Sequence, residues 1–272
     1  MRSPDGDATS HRTAADADPP RFEIGAFRAS VHAKYADVAV HPGKEFHFHN
    51  GRTLADRLGY PEWAMDRLPP AVVDSFCGMV NMPALAVVAE GDVVIDVGCG
   101  SGVDAILASG PVGRGGSVTG IDLADEMVEV ANRGAAEVGV DNARFVTGLA
   151  EDLPLADSSA DVAMTNAVIN LCPDKPRVLA ELRRALVPGG RLYLGDVLLE
   201  RVPPRSVRDL ICRWTSCVVG GVTEPELFDL LARAGFGDIE LVSTADVFGG
   251  ARGEANADHY GALAYAVRAR AA

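Results

Sequence analysis

The chain is 272 residues long, 48% apolar, and carries a formal charge of −13. That length suits one large or two small domains with an ample core, and the lack of a basic block excludes a surface built to neutralise nucleic-acid phosphates. No apolar run approaches the roughly 18–20 residues of a membrane span, no apolar h-region marks a secretory signal, and five cysteines without a C-x-x-C pair predict a reduced, cytoplasmic protein.

Residues 1–21, rich in Asp, Ala, Ser, Thr and Pro, are expected to be a disordered lead. From 22 to 83 short helical patterns are broken at Pro42-Gly43 and Leu68-Pro69-Pro70, which predicts a helical cap. From 84 to 272 a strand–helix rhythm predicts an α/β, doubly wound sheet. Strands are predicted at Val93–Val97, Ser117–Ile121, Ala143–Val146, Val162–Thr165, Arg191–Asp196, Ile239–Ser243 and Ala262–Val267. Helices are predicted at Val103–Ser109, Ala124–Val138, Lys175–Leu186, Ser206–Thr215 and Glu224–Ala234. Asp125 and Glu126 complement the dipole of the second of these helices. Asp174 is a good N-cap for the third. Pro188-Gly189-Gly190 stops that helix and turns the chain into a strand. The Gly/Ala-rich stretch from Ala245 to His259 reads as a mobile loop.

The most informative run is Val93-Val94-Ile95-Asp96-Val97-Gly98-Cys99-Gly100-Ser101-Gly102-Val103-Asp104. It reads as a buried strand, a glycine turn and a helix start. Asp122 follows at the end of the next apolar strand. That is nucleoside-binding geometry. A dinucleotide fingerprint, G-x-G-x-x-G, seats a pyrophosphate on the helix N-terminus. Here the spacing is G-x-G-x-G, with Val103 where the third glycine of that fingerprint belongs. Asp96 would repel a nearby pyrophosphate by on the order of 1–4 kcal/mol at effective dielectrics of about 80 to 20. It would attract a cation. S-adenosylmethionine carries an ammonium and a sulfonium and no phosphate, so Asp96 suits its methionine end, directly or through water. Asp122 suits the two ribose hydroxyls, because an ionised carboxylate accepts two hydrogen bonds at once. A turn that serves only strand-to-helix packing is the bland alternative.

The segments VVIDVGCGSGVDAILAS, VGRGGSVTGIDLADEMVEVA, NAVINLCPDKPRVLAELRRALVPGGRLYLGDV and CVVGG resemble class I S-adenosylmethionine-dependent methyltransferases, and within them the arsenite-methyltransferase-like group. The Leu58-Gly59-Tyr60-Pro61 box and Phe76-Cys77-Gly78-Met79-Val80-Asn81 are similar to that group's cap. The resemblance runs from Lys34 to Val242. The glycine motif specifies only the superfamily, and the N-x-V-I-N-L-x-P-D-K run is much narrower. It implies a Rossmann-like, seven-stranded, mostly parallel sheet whose last strand is antiparallel. It also implies that Asp96, Gly98, Gly100 and Gly102 face the methionine part of the cofactor and that Asp122 takes the ribose. Leu123 and Met127 then flank the adenine, and Ala150 or Glu151 meets the adenine edge in place of an acid where Leu149 stands. Asn166 falls beside the sulfonium.

The departures bear on the substrate. The arsenite group has Cys where Met79 and Ala167 stand, and only its third cysteine, aligned with Cys217, remains. One thiol cannot make a multidentate soft site for a metalloid. Cys77, Cys172 or Cys212 could substitute, although no spacing supports it, and Cys99 and Cys172 read as core.

Methyl transfer from a sulfonium is an in-line displacement, and positioning alone can supply roughly 7–11 kcal/mol in favourable cases. A base is needed only when the acceptor arrives protonated. His47, in Phe46-His47-Phe48-His49, is a candidate base, since imidazole titrates near neutrality. His47 and His49 could also be two metal ligands on one strand face, but no third ligand has supporting spacing, so no metal is expected. Alternatively the segment is extended and amphipathic, with His49 a surface or substrate contact. Tyr35 could bond the cofactor or a substrate, or simply pack. Asp196, at the carboxyl edge of the sheet where ligands bind in such folds, could orient an acceptor. Asn170, Trp214 and Cys217 are further candidates for the acceptor pocket, and Lys175 reads as a surface charge. The combined reading is a methyltransferase for a small molecule, with natural-product metabolism a fitting context and a homodimer left open. Three alternatives stand beside it: attack on another carbon next to the sulfonium, releasing methylthioadenosine; arsenite methylation; and a binding module without turnover.

Overall fold

The structure, a computed structural model, describes residues 22–211 and 218–272. The predicted lead over 1–21 and the candidates Cys212, Trp214 and Cys217 lie outside the described residues. Seven strands form one sheet: β1 (Val93–Val97), β2 (Ser117–Asp122), β3 (Ala143–Thr147), β4 (Ala160–Asn166), β5 (Leu186–Leu198), β6 (Phe236–Ala245) and β7 (Leu263–Ala271). Their order is β3-β2-β1-β4-β5-β7-β6. The first five are parallel, and β7 runs antiparallel to both β5 and β6. Strand order reverses between β1 and β4, which opens a crevice at their carboxyl ends.

Alternating side chains sort onto two faces. Val94, Val118, Phe145 and Tyr193 face helices α6 (Val103–Val112) and α7 (Asp125–Glu137). Five N-terminal helices join that same core: α1 (Ile24–Val40), α2 (Gly51–Arg57), α3 (Glu62–Met65), α4 (Pro70–Asp74) and α5 (Met82–Leu85). Ile95, Ile121, Leu192, Leu194 and Tyr265 face the other way, onto α8 (Lys175–Ala185) and the helix Glu224–Arg233. The caps follow the sequence. The Asp174 carboxylate accepts from the Arg177 amide at 3.0 Å, and Thr223 and Glu226 close a capping box.

Several elements differ from expectation. α8 ends at Ala185, and β5 begins at once, with Leu186 opposite Ala160. A register shift then absorbs the Pro-Gly-Gly stretch before Arg191 meets Val162, so those residues kink a strand and do not precede it. Of the helix predicted over Ser206–Thr215, the described residues show a turn at Arg205–Arg208 and a helical Ile211, and the rest lies outside them. No strand forms around Phe46–His49. The stretch after Ala245 is not a bare loop: it buries Val247 and Phe248 and contains the helix Glu254–Tyr260. It also clasps the N-terminal region. The Gly253 amide donates to the His47 carbonyl at 2.9 Å, and the Arg57 guanidinium donates to the Gly249 carbonyl at 2.7 Å. No helix among the described residues is long and apolar enough to cross a membrane.

The N-terminal segment packs closely on the sheet at Gly195, where an added Cβ would overlap the Val80 side chain. Gly195→Ala is therefore expected to cost about 1–3 kcal/mol through overpacking. A thermal melt should show a drop of several degrees, and an unchanged melting temperature would contradict this packing.

Candidate functional site

The site is built on the turn from β1 into α6. Gly98, Gly100 and Gly102 all have positive φ, at 74°, 51° and 88°, a region L side chains avoid. An added Cβ on Gly98 would overlap Val168, and one on Gly102 would sit 2.8 Å from the Ala131 Cβ. At Gly100 a Cβ would meet nothing within 4 Å. Two of these glycines thus serve packing, while the third borders open space.

Asp122, at the end of β2, braces the turn. Its Oδ2 accepts from the Gly100 amide at 2.8 Å and its Oδ1 from the Ala124 amide at 2.9 Å. The Leu123 amide also bears on this carboxylate, which keeps capacity for a further donor. Asp96 is only 2% exposed, and its Oδ2 has no hydrogen-bond partner. Burial foremost, then the neighbouring charges of Asp104 and Asp122, push its carboxyl well above the usual range. A buried carboxylate oxygen left orphaned beside open space awaits a donor, and a cationic one relieves the most strain.

A cleft runs along the carboxyl ends of β1, β2 and β4. Gly98, Gly100, Asp122, Leu123, Met127, Leu149, Ala150 and Glu151 wall one part of it, and Asn166–Val168 with Leu171–Pro173 wall another. α1 lies across it, presenting Phe27, Val31 and Tyr35. One ion pair and one histidine–carboxylate contact tie this helix down. Arg28 reaches Glu151 at 3.3 Å, and His32 reaches Glu126 at 3.6 Å. These residues fit the group inferred from the sequence: an acid for an ammonium, an acid for a ribose and an apolar slot for a base.

The other candidates are dispersed. Tyr35 faces the cleft and stacks on Phe48, with ring centroids 6.2 Å apart. His47 is outside the cleft wall; its Nδ1 lies 3.5 Å from the Lys34 Nζ. His49 bonds the Gly249 carbonyl at 3.0 Å. Asp196 is buried on the α8 face of the sheet, where its carboxylate accepts from the Asn170 and Val197 amides at 3.0 and 2.8 Å. Burial pushes its carboxyl up to about 6. Asn170 is likewise buried beside it. Lys175 is not a simple surface charge: its Nζ donates to the Ile169 and Cys172 carbonyls, each at 3.0 Å. Asn166 borders the cleft, but its amide is taken up by the N-terminal segment. Its Oδ1 accepts from the Met79 and Val80 amides at 2.8 and 3.2 Å.

Sequence reasoning gave no role to four residues that shape the site. Arg28 and His32 hold α1 over the cleft, and Tyr60 and Asp104 form a buried hydrogen bond of 2.7 Å beneath it. The signal for Asp104 was an acid in the first turn of a largely apolar helix. Nothing local marks Tyr60, whose partner is 44 residues away.

Comparison with known proteins agrees with this geometry. Residues 89–235 match the family described as "Methyltransferase domain". The arsenite methyltransferase of Halobacterium salinarum is 36% identical over 187 residues, covering 69% of this chain and 48% of that protein. The 27-O-demethylrifamycin SV methyltransferase of Amycolatopsis mediterranei is 37% identical over 134 residues, 48% of this chain and 46% of that one. Among solved structures, the arsenic(III) S-adenosylmethionine methyltransferase of Chlamydomonas reinhardtii superposes with a TM-score of 0.62 at 31% identity, covering 82% of this chain and 74% of that one. The chain spans about half the length of the curated relatives it matches. The chain belongs to the methyltransferase-domain family of S-adenosylmethionine-dependent proteins, in its arsenite-methyltransferase-like group.

Proposed function

We propose that this protein transfers a methyl group from S-adenosylmethionine to a neutral small molecule bound beneath α1. The observation that carries the reading is the unpartnered Asp96 carboxylate oxygen at the glycine turn, in a small cavity that adjoins this cleft. S-adenosylmethionine, when bound, supplies an electrophilic methyl on a sulfonium. On this reading Asp96 and the Gly98–Gly102 turn hold the methionine end and Asp122 the ribose. Leu123, Met127, Ala150 and Glu151 hold the adenine, with Asn166 bordering the methyl. Tyr35, Ser75, Cys77, Ala167, Leu171 and Cys172 wall the acceptor end without a carboxylate or an ammonium among them, which supports a neutral acceptor. Ser75 is 1% exposed and its hydroxyl lacks a partner, so it can meet a polar group of that molecule. Catalysis then rests on positioning, with Tyr35 a lining side chain able to move a proton. Residues 22–83 act as the cap of an 84–272 cofactor-binding domain. A cytoplasmic role in small-molecule or natural-product metabolism fits this reading.

Arsenite is a poorer fit. Met79 and Ala167 offer no thiol, and burial pushes the Cys172 thiol far above its ordinary range, away from the thiolate a metalloid needs. Purified protein incubated with methyl-labelled S-adenosylmethionine and a panel of neutral acceptors is expected to yield labelled product and S-adenosylhomocysteine. Release of methylthioadenosine, or cofactor binding without turnover across the panel, would overturn the reading. Robust methylation of arsenite in the presence of thiol would refute the argument from Met79 and Ala167.

A further inference from the structure

Helix α1 turns one stripe of side chains to the cleft. Phe27, Arg28, Val31, His32 and Tyr35 line it, spaced as neighbours on a single helical face. Phe27 is fully buried, and the Glu23 carboxylate caps the helix by accepting from the Gly25 and Ala26 amides, so the turn that carries Arg28 is fixed at its start. Among the described residues that line the cleft, Arg28 brings the one guanidinium and Asp122 and Glu151 the two carboxylates. Asp122 braces the glycine turn through the Gly100 and Ala124 amides. The other charged pair is Arg28 with Glu151, one from the cap and one from the turn after β3.

Burial sets this pair apart from a surface ion bridge. Glu151 is 8% exposed, and Arg177 Nε donates to its main-chain carbonyl at 2.9 Å, which holds the residue in place. Arg28 Nη2 stands 3.3 Å from Glu151 Oε1. Arg28 Nε is buried and donates to nothing. An ion pair whose guanidinium side chain is 34% exposed contributes little to stability. A buried donor without an acceptor costs stability. Both facts suit a pair kept for a ligand.

We propose that Arg28 is a specificity-determining residue: with Glu151 it reads the edge of the base, so that the cleft takes a 6-aminopurine nucleoside and rejects a 6-oxopurine one. The inference rests on the cofactor reading above and carries base recognition from the turn after β3 to the helical cap. Adenine presents a donor, its 6-amino group, beside an acceptor, N1. A carboxylate beside a guanidinium N–H is the complementary acceptor and donor. Hypoxanthine reverses both, since O6 accepts and N1 carries a proton. Glu151 would then face an oxygen and Arg28 an N–H. A site built to hydrogen-bond its ligand rejects an analogue that leaves its buried polar groups unpaired. The apolar walls Phe27, Val31, Leu123 and Met127 offer the same surface to either purine, so they supply affinity and not this choice.

Calorimetric binding of S-adenosylhomocysteine and of S-inosylhomocysteine, its 6-oxo counterpart, tests this. The native protein is expected to bind the first about 100-fold more tightly, the scale of one charge-assisted hydrogen bond lost. Arg28→Met keeps an unbranched apolar stem and removes the guanidinium. It should narrow that preference by about 10-fold. Glu151→Gln should narrow it too, because an amide can turn either its oxygen or its nitrogen to the base. His32→Ala controls for the seat of α1: it removes the contact with Glu126 and should weaken both ligands alike, leaving their ratio unchanged. Near-equal binding of the two ligands by the native protein, an unchanged ratio in Arg28→Met, or a ratio narrowed as much by His32→Ala would overturn the proposal while leaving the cofactor assignment intact. Failure of the native protein to bind S-adenosylhomocysteine at all would overturn both.

Discussion

Asp96→Asn is expected to bind S-adenosylhomocysteine roughly 10- to 150-fold more weakly than the native protein while melting at an equal or higher temperature at pH 7–8. The binding loss follows from replacing a charged acceptor, whose hydrogen bonds contribute about 1.5–3 kcal/mol, with a neutral one of the same shape. The stability gain follows from burial. The Asp96 carboxyl is raised well above its ordinary value in the folded protein, first by desolvation and then by Asp104 and Asp122. The folded state therefore binds more protons than the unfolded state just above the unfolded carboxylate range. Stability is lost as pH rises through that window, and the amide variant escapes the loss. Its advantage should shrink as the pH is lowered toward 4. Calorimetric titration and thermal melts between pH 4 and 8 measure both effects. Weaker binding with a lower melting temperature at pH 8 would mean that Asp96 is a structural residue with a partner.

The second large effect separates two glycines of one turn. Gly98→Ala places a methyl into the Val168 side chain at a φ of 74°. Overpacking costs about 1–3 kcal/mol, and the left-handed backbone adds about 1–2 kcal/mol. The variant should melt far below the native protein, and the displaced Val168 segment should distort the acceptor end of the cleft. Gly100→Ala meets nothing within 4 Å at a φ of 51°, so it pays only the backbone term. Its methyl, however, projects into space the cofactor would fill. It should fold with a modest loss of stability and bind S-adenosylhomocysteine at least about 10-fold more weakly, on a scale where about 1.4 kcal/mol is tenfold. If Gly100→Ala bound like the native protein, the cofactor would have to lie elsewhere.

Much of the frame was legible in the chain because its signals are local. Val93–Val97 is a short apolar run that ends in glycines, and β1 occupies those same residues. Asp174 and Asp125 announced helix starts through capping and dipole effects, which need only the next turn of chain. What was not legible depends on contacts distant in sequence. The placement of His49 is fixed by the Gly249 carbonyl, 200 residues away, so no spacing near Phe46 could reveal it. Asp196 illustrates a subtler limit. Strand parity puts it on the same face as Leu192 and Leu194, opposite Gly195 and Val197, but parity does not say which face carries the cofactor. The Tyr60–Asp104–Asn166 network is the extreme case, since its members come from a helix-connecting turn, a helix start and a strand end.

The Asn166 environment also bears on how the family's scaffold is used. The side chain that a resemblance places beside the sulfonium spends its hydrogen bonds on Met79, Val80 and Asp104. On the proposed function, Asn166 acts by fixing the roof of the cleft. That agrees with a reaction driven by geometry, in which a small misplacement is costly.

A crystal structure of the protein with S-adenosylhomocysteine is the most direct test of this site. The account predicts the amine within hydrogen-bond distance of Asp96 Oδ2, the ribose hydroxyls on Asp122 and the adenine between Leu123 and Met127. A nucleoside bound outside this cleft, or an Asp96 carboxylate that still lacks a partner in the complex, would contradict it.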